Sequence, residues 1–99
     1  MSEIRFEWDS RKARSNEEKH GVSFEEATEL FTSAADYLEI FDETHSDLED
    51  RFIAIGPISG GLVLVAWTER NGDTVRIIGA RWASKAEERL YFSSKELSP

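Results

Sequence analysis

Polar and apolar residues alternate from Glu3 to Trp8, a period of two that predicts a strand with Ile4, Phe6 and Trp8 on one buried face. Asp9 follows as a helix N-cap, because a short carboxylate accepts the first free backbone N–H groups. Ser10 to His20 then reads as a helix, with Gly21 as the residue just past its end. Lys19 and His20 fall in the last turn, where positive charge suits the helix dipole. Ala13 is this helix's one clearly apolar residue, so it has little to bury. Lys12, Asn16 and Lys19 or His20 recur three and four apart and share a polar face. That face is either solvated or turned towards a ligand or partner.

Ser23-Phe24-Glu25-Glu26 is a capping box, with Ser23 as N-cap and Glu26 three places on. Phe24, Ala27, Leu30 and Phe31 continue as a helical stripe that supplies core. Three strands are predicted further on. Arg51 to Ser59 turns at Gly60-Gly61 into Leu62 to Arg70, and Asn71-Gly72 is a hairpin signal leading into Val75 to Trp82. Leu62 to Trp67 is apolar on both parities, which suits a central strand covered on both faces. A further capping box at Ser84-Lys85-Ala86-Glu87 opens a helix to about Phe92. Tyr37 to Phe41 is either a short strand or an exposed apolar patch. The order β-α-α-(β)-β-β-β-α defines an α+β fold in a single domain over residues 1–99, with two N-terminal helices on one face of a mainly antiparallel sheet. The other face is open, or filled by the last helix or a partner.

Composition narrows the function. Hydrophobic residues make up 39% of the 99, enough for one compact core. The net charge is −8, and residues 25–50 hold ten acids without a single Lys or Arg. That balance argues against simple nucleic-acid binding through a basic footprint. There is no Cys, which excludes a disulfide, a thiolate nucleophile and a Cys-based zinc site. His20 and His45 stand far apart in sequence, so no metal site and no cofactor is expected. The longest apolar run, Leu62 to Trp67, is far short of the about 20 residues that span a membrane. The first residues lack an apolar signal core, so a cytoplasmic location is expected.

The chain is nevertheless similar to a known family. Phe6-Glu7-Trp8-Asp9, Lys12, Asn16 and the run Lys19-His20-Gly21-Val22-Ser23-Phe24-Glu25-Glu26-Ala27 resemble the N-terminal signature of BrnT-type toxins. Ile53-Ala54-Ile55-Gly56, Thr68-Glu69-Arg70 and Arg76 to Arg81 resemble its second half, and Glu87, Arg89 and Tyr91 continue the match over about residues 5–92. The resemblance implies a RelE-like fold and ribonuclease activity in a type II toxin–antitoxin pair. It also implies a BrnA-type antitoxin with a ribbon-helix-helix domain, so that DNA is met only through the antitoxin. Two departures bear on this. Trp82 stands where many members carry a second arginine, and the chain is acidic where many are basic. They support an alternative, a weak or inactive homologue that serves as an antitoxin-binding module.

Metal-independent RNA cleavage needs a base for the 2′-hydroxyl, an acid for the leaving 5′-oxygen and cations for the extra phosphate charge. Arg81 suits the last role, since its planar fork matches two phosphate oxygens. By parity it shares a face with Val75, Ile77 and Gly79 and emerges at that face's end, whereas Arg76 points the other way. The alternative for Arg81 is a salt bridge to Glu87. Histidine as a class exchanges protons near neutrality, so His20 is an acid or base candidate, or simply a helix-end residue. Glu69 is a candidate base, or an exposed residue beside a hairpin. Tyr91 is a candidate stacking or hydroxyl donor group, or the residue that docks the last helix. Lys12, Lys19, Arg70 and Arg76 are candidates for RNA binding, or solvated and partner-facing cations. Trp82 offers a stacking surface if exposed, and otherwise joins the core.

Overall fold

Five strands form one sheet in the computed structural model, which describes residues 4–33 and 35–96. Glu3, where the first strand is expected to begin, lies outside the described residues. The strands are β1 (Arg5–Glu7), β2 (Leu38–Phe41), β3 (Arg51–Ile58), β4 (Gly61–Arg70) and β5 (Thr74–Trp82), in the order β1-β5-β4-β3-β2. β1 runs parallel to β5 and every other pairing is antiparallel. Within the Tyr37–Phe41 segment, Leu38–Phe41 is thus an edge strand. The helices are α1 (Ser10–His20), α2 (Phe24–Ala27), α3 (Glu29–Thr32) and α4 (Lys85–Glu96). None of them is long and apolar enough to cross a membrane.

Local chemistry explains the boundaries. The Asp9 carboxylate accepts N–H bonds from Arg11 and Lys12 at 2.9 and 3.0 Å, which starts α1. The bond from Lys12 is the main reason the Asp9 carboxyl is held below its ordinary range. Gly21 ends α1 at φ 72°, a left-handed conformation a β-carbon would disfavour. Ser23 and Glu26 form both bonds of the capping box. The predicted second helix is interrupted at Thr28, whose hydroxyl donates to the Glu25 carbonyl at 2.7 Å while Phe31 bonds back only three residues. Asn71 and Gly72 both take positive φ, as their hairpin requires.

The main core lies between α2, α3 and one sheet face. Phe24, Ala27 and Leu30 are buried there against Ala54, Val63, Val65 and Ile77. Gly56 belongs to this face for a steric reason: a β-carbon would come within 2.7 Å of Leu30 Cδ1 and 2.8 Å of Tyr37 Cβ. Trp82 also packs against this core and covers Gly60, where a β-carbon would lie 2.6 Å from its ring. Its role is therefore packing. Ile4 departs from the expected buried face and is half exposed, while Phe6 and Trp8 pack inward.

The first helix does not lie over the sheet beside the second. It runs along β5, beyond the point where β1 stops, and every residue of α1 keeps some exposure. Ala13 is its packing residue against the core. The last helix, longer than expected, packs against β3 and brings its side chains to the second face of the sheet. Ile55 is buried on that second face.

Candidate active site

β5 carries an irregularity that decides where the arginines point. Ala66 pairs with Gly79 and Trp67 pairs with Ile77, so Ile78 is an extra residue without a partner on β4. A bulge of this kind reverses the alternation of side chains along the strand. Val75, Ile77, Ala80 and Trp82 consequently face the main core, opposite Glu69, Trp67, Val65 and Val63. Arg76, Gly79 and Arg81 share the second face with Thr68, Ala66 and Leu64. Simple parity separates Arg76 from Arg81, and the bulge corrects that expectation by bringing both to one side.

α1 closes this face along one edge. His20, Asn16 and Arg81 line a depression of about 200 Å³ together with Leu64, Ala66, Gly79 and Ala80. Lys12, Lys19 and His20 line a neighbouring one of about 220 Å³ with Ser15, Asn16 and Ile78. The two share Asn16 and His20, so His20 stands between a lysine-lined hollow and the one that Arg81 lines. Arg11, Lys12, Arg14 and Lys19 make no ion pair among the described residues, whereas Arg5, Arg51, Arg70, Arg76 and Arg81 each do. Of the described lysines and arginines without an ion pair, four thus lie on α1 and the fifth, Arg89, on α4.

Arg81 is held by a carboxylate. Its Nη1 and Nη2 donate to the two oxygens of Glu87 at 2.8 and 2.7 Å, a fork-on-fork pair. Glu87 Oε1 also accepts the Ser84 N–H at 2.8 Å, completing the capping box of α4. The Arg81 side chain remains 41% exposed. The salt bridge named as Arg81's alternative is therefore present, in a cleft that also holds His20. Glu87's hydrogen bonds, first that from Arg81, hold its carboxyl down to about 2 from 4.5, and the same pair raises the Arg81 guanidinium.

The sign of the resulting pH dependence follows from a depressed carboxyl. The stabilisation is fully present above about pH 4.5 and is lost as pH falls from there towards about 2. Both side chains touch solvent, so screening leaves about 1 kcal/mol. Glu87→Gln should therefore cost about 1 kcal/mol at neutral pH, and the gap to the unsubstituted protein should shrink in urea titrations approaching pH 3. A gap that stays constant with pH would contradict this account.

The other candidate residues lie elsewhere. Glu69 is on the core side of the sheet, opposite to Arg81, beside Trp67 and Val75. Arg70 sits at the far end of β4, 3.1 Å from Glu49. Arg76 Nη1 is 2.8 Å from Glu7 across the β1–β5 pair. Tyr91 is buried, and its hydroxyl donates to the Asp36 carbonyl at 3.1 Å, which docks α4. A larger hollow of about 390 Å³ is lined by Thr44, His45, Asp47, Leu48, Glu49 and Arg51. His45 there is 2.9 Å from Asp42, and the surrounding carboxylates disfavour an anionic ligand.

The mixed α+β fold is that of a class of small ribonuclease toxins. The model of a family described as the ribonuclease toxin BrnT of type II toxin–antitoxin systems matches residues 8–87. The chain belongs to this family. Its structure is similar to the crystal structure of the Brucella abortus ribonuclease toxin BrnT, at 28% identity and a TM-score of 0.60, over 86% of this chain and 100% of that one. No curated protein sequence matches the chain.

Proposed function

We propose that the chain is a metal-independent endoribonuclease toxin with its centre at the α1–β5 cleft. The observation that carries the reading is the placement of His20 and Arg81 on one depression, with Lys12 and Lys19 on the next. A phosphodiester in the cleft would meet unpaired lysines, an imidazole and a guanidinium, the groups that metal-free RNA cleavage needs. The 2′-oxygen attacks phosphorus and the bond to the 5′-oxygen breaks. This leaves a cyclic phosphate on one fragment and a 5′-hydroxyl on the other. His20 exchanges a proton at one of these two oxygens and water does so at the other, while Arg81 stabilises the charge that builds on the non-bridging phosphoryl oxygens. Arg76 lies on the same face and serves RNA binding; Arg70, Glu69 and Tyr91 lie outside this arrangement.

The reading extends to a RelE-like single domain acting in the cytoplasm and inhibiting growth. A BrnA-type ribbon-helix-helix antitoxin neutralises it and carries any DNA contact. The Arg81–Glu87 pair favours a second reading, a catalytically weak toxin homologue that binds an antitoxin, because the guanidinium fork is already filled. One experiment separates the two. Purified chain is incubated with labelled RNA in excess chelator, and in parallel induced in cells with and without the neighbouring antitoxin gene. Cleavage in chelator and antitoxin-reversed growth arrest are expected. Intact RNA together with normal growth would leave the binding-module reading.

A further inference from the structure

We propose that Asn16 is a positioning residue that sets His20 against Arg81, an inference that rests on the reading of the α1–β5 cleft as the cleavage centre. β1 accompanies β5 only through Thr74, Val75 and Arg76. Past the Ile78 bulge, the outer edge of β5 is met by α1 instead of a strand. The Asn16 carboxamide takes the place of the missing peptide group there. Its Oδ1 accepts the Ala80 N–H at 3.1 Å, and its Nδ2 donates to the Ala80 carbonyl at 2.7 Å. The same Nδ2 donates to the Val22 carbonyl at 3.2 Å, in the turn that follows α1.

These three bonds tie together the parts that matter. Asn16 is one helical turn before His20, on the same side of α1. Ala80 directly precedes Arg81. The carboxamide thus links the helix turn carrying the imidazole to the strand residue carrying the guanidinium, across 64 positions of sequence. α1 has little else to fix its tilt and register on β5, since it buries no residue fully and packs chiefly through Ala13. An aspartate has the same shape but lacks both donors, and would set a carboxylate against two carbonyl oxygens. An alanine would leave the Ala80 N–H and carbonyl to water. In either case α1 is free to shift, and a displacement of about 1 Å at a reacting group is enough to lower a rate about a hundredfold.

The test uses Asn16→Ala and Asn16→Asp, each alone and with His20→Ala, under single-turnover RNA cleavage. Each single Asn16 variant is expected to lower kcat about a hundredfold while KM stays within about twofold. If Asn16 acts through His20, adding its substitution to His20→Ala lowers the rate no further. A kcat near that of the unsubstituted protein, or losses that multiply in the double variant, would overturn the proposal. Nuclear Overhauser contacts from the His20 ring to the Leu64 and Ala66 methyl groups give a readout independent of activity. They are expected in the unsubstituted chain and lost in both variants; their retention overturns the positioning role. Failure of the unsubstituted chain to cleave RNA strikes the cleavage reading itself, and the Overhauser arm still decides whether Asn16 places His20.

Discussion

Arg81→Ala should lower RNA cleavage by about two to three orders of magnitude, the size of effect seen when one preorganised donor to a developing oxyanion is removed. Arg81 combines a fork of donors with a position on the His20 cleft, and its side chain is accessible despite the Glu87 pair. A phosphodiester carries the same charge as the carboxylate that now fills the fork, so the two compete for one set of N–H groups. Arg81→Lys should recover only part of the loss, because a single ammonium cannot grip two oxygens side by side. Arg76→Ala should act mainly on KM, since Arg76 shares the face but lies beyond the bulge and is engaged by Glu7. Single-turnover rates with RNA in excess chelator distinguish these cases. A fall of less than about tenfold for Arg81→Ala would remove Arg81 from the chemistry. The fold should survive the substitution, because an exposed pair contributes only about 1 kcal/mol.

The legible parts of the sequence are those where one residue performs one local task. Asp9, Gly21, the Ser23–Glu26 box and Asn71-Gly72 mark their helix ends and hairpin because capping and positive φ depend on nearest neighbours. The apolar stripe of Phe24, Ala27 and Leu30 likewise reports its burial through helical periodicity. Long-range pairing is different. No local signal states that β1 joins β5 in parallel, or that Leu38–Phe41 seeks the edge beside β3.

The bulge lies between these cases. Gly79, inside an otherwise apolar strand, is the kind of residue that marks one, yet strict alternation across it places Arg76 and Arg81 on opposite faces. The candidate site was partly legible for the same reason. His20 and Arg81 are distinctive residue types near element ends, but their convergence depends on α1 lying along β5. Asn16 reads only as a polar residue on a face that is either solvated or turned towards a ligand or partner, because its bonds to Ala80 and Val22 cannot be read from helical spacing. Glu69 illustrates the converse: a carboxylate of the right chemistry, set by strand register on the side of the sheet away from the cleft.

Phe24→Ala should produce the largest loss of stability, about 3–5 kcal/mol. Phe24 is among the largest side chains with no solvent exposure, and its ring meets Trp8 edge-on at 5.9 Å. Truncation removes the transfer energy of the ring and leaves a cavity that a sheet on one side and two short helices on the other cannot easily close. A loss of this size is a large share of the about 5–15 kcal/mol that holds a domain folded, and it should lower Tm by more than about 12 °C in a chain this short. Phe92→Ala is the matched control: that ring is more than half exposed on α4, so the change should stay within about 1 kcal/mol. Urea unfolding followed by circular dichroism compares the two. Because Trp8 precedes the Asp9 cap and rests on Phe24, the truncation should also loosen the entry to α1, and with it the hold on His20. Cleavage by Phe24→Ala should therefore fall at temperatures below its own Tm, in contrast to Phe92→Ala. A stability loss under about 1.5 kcal/mol would mean that the Phe24–Trp8 contact does not anchor the core.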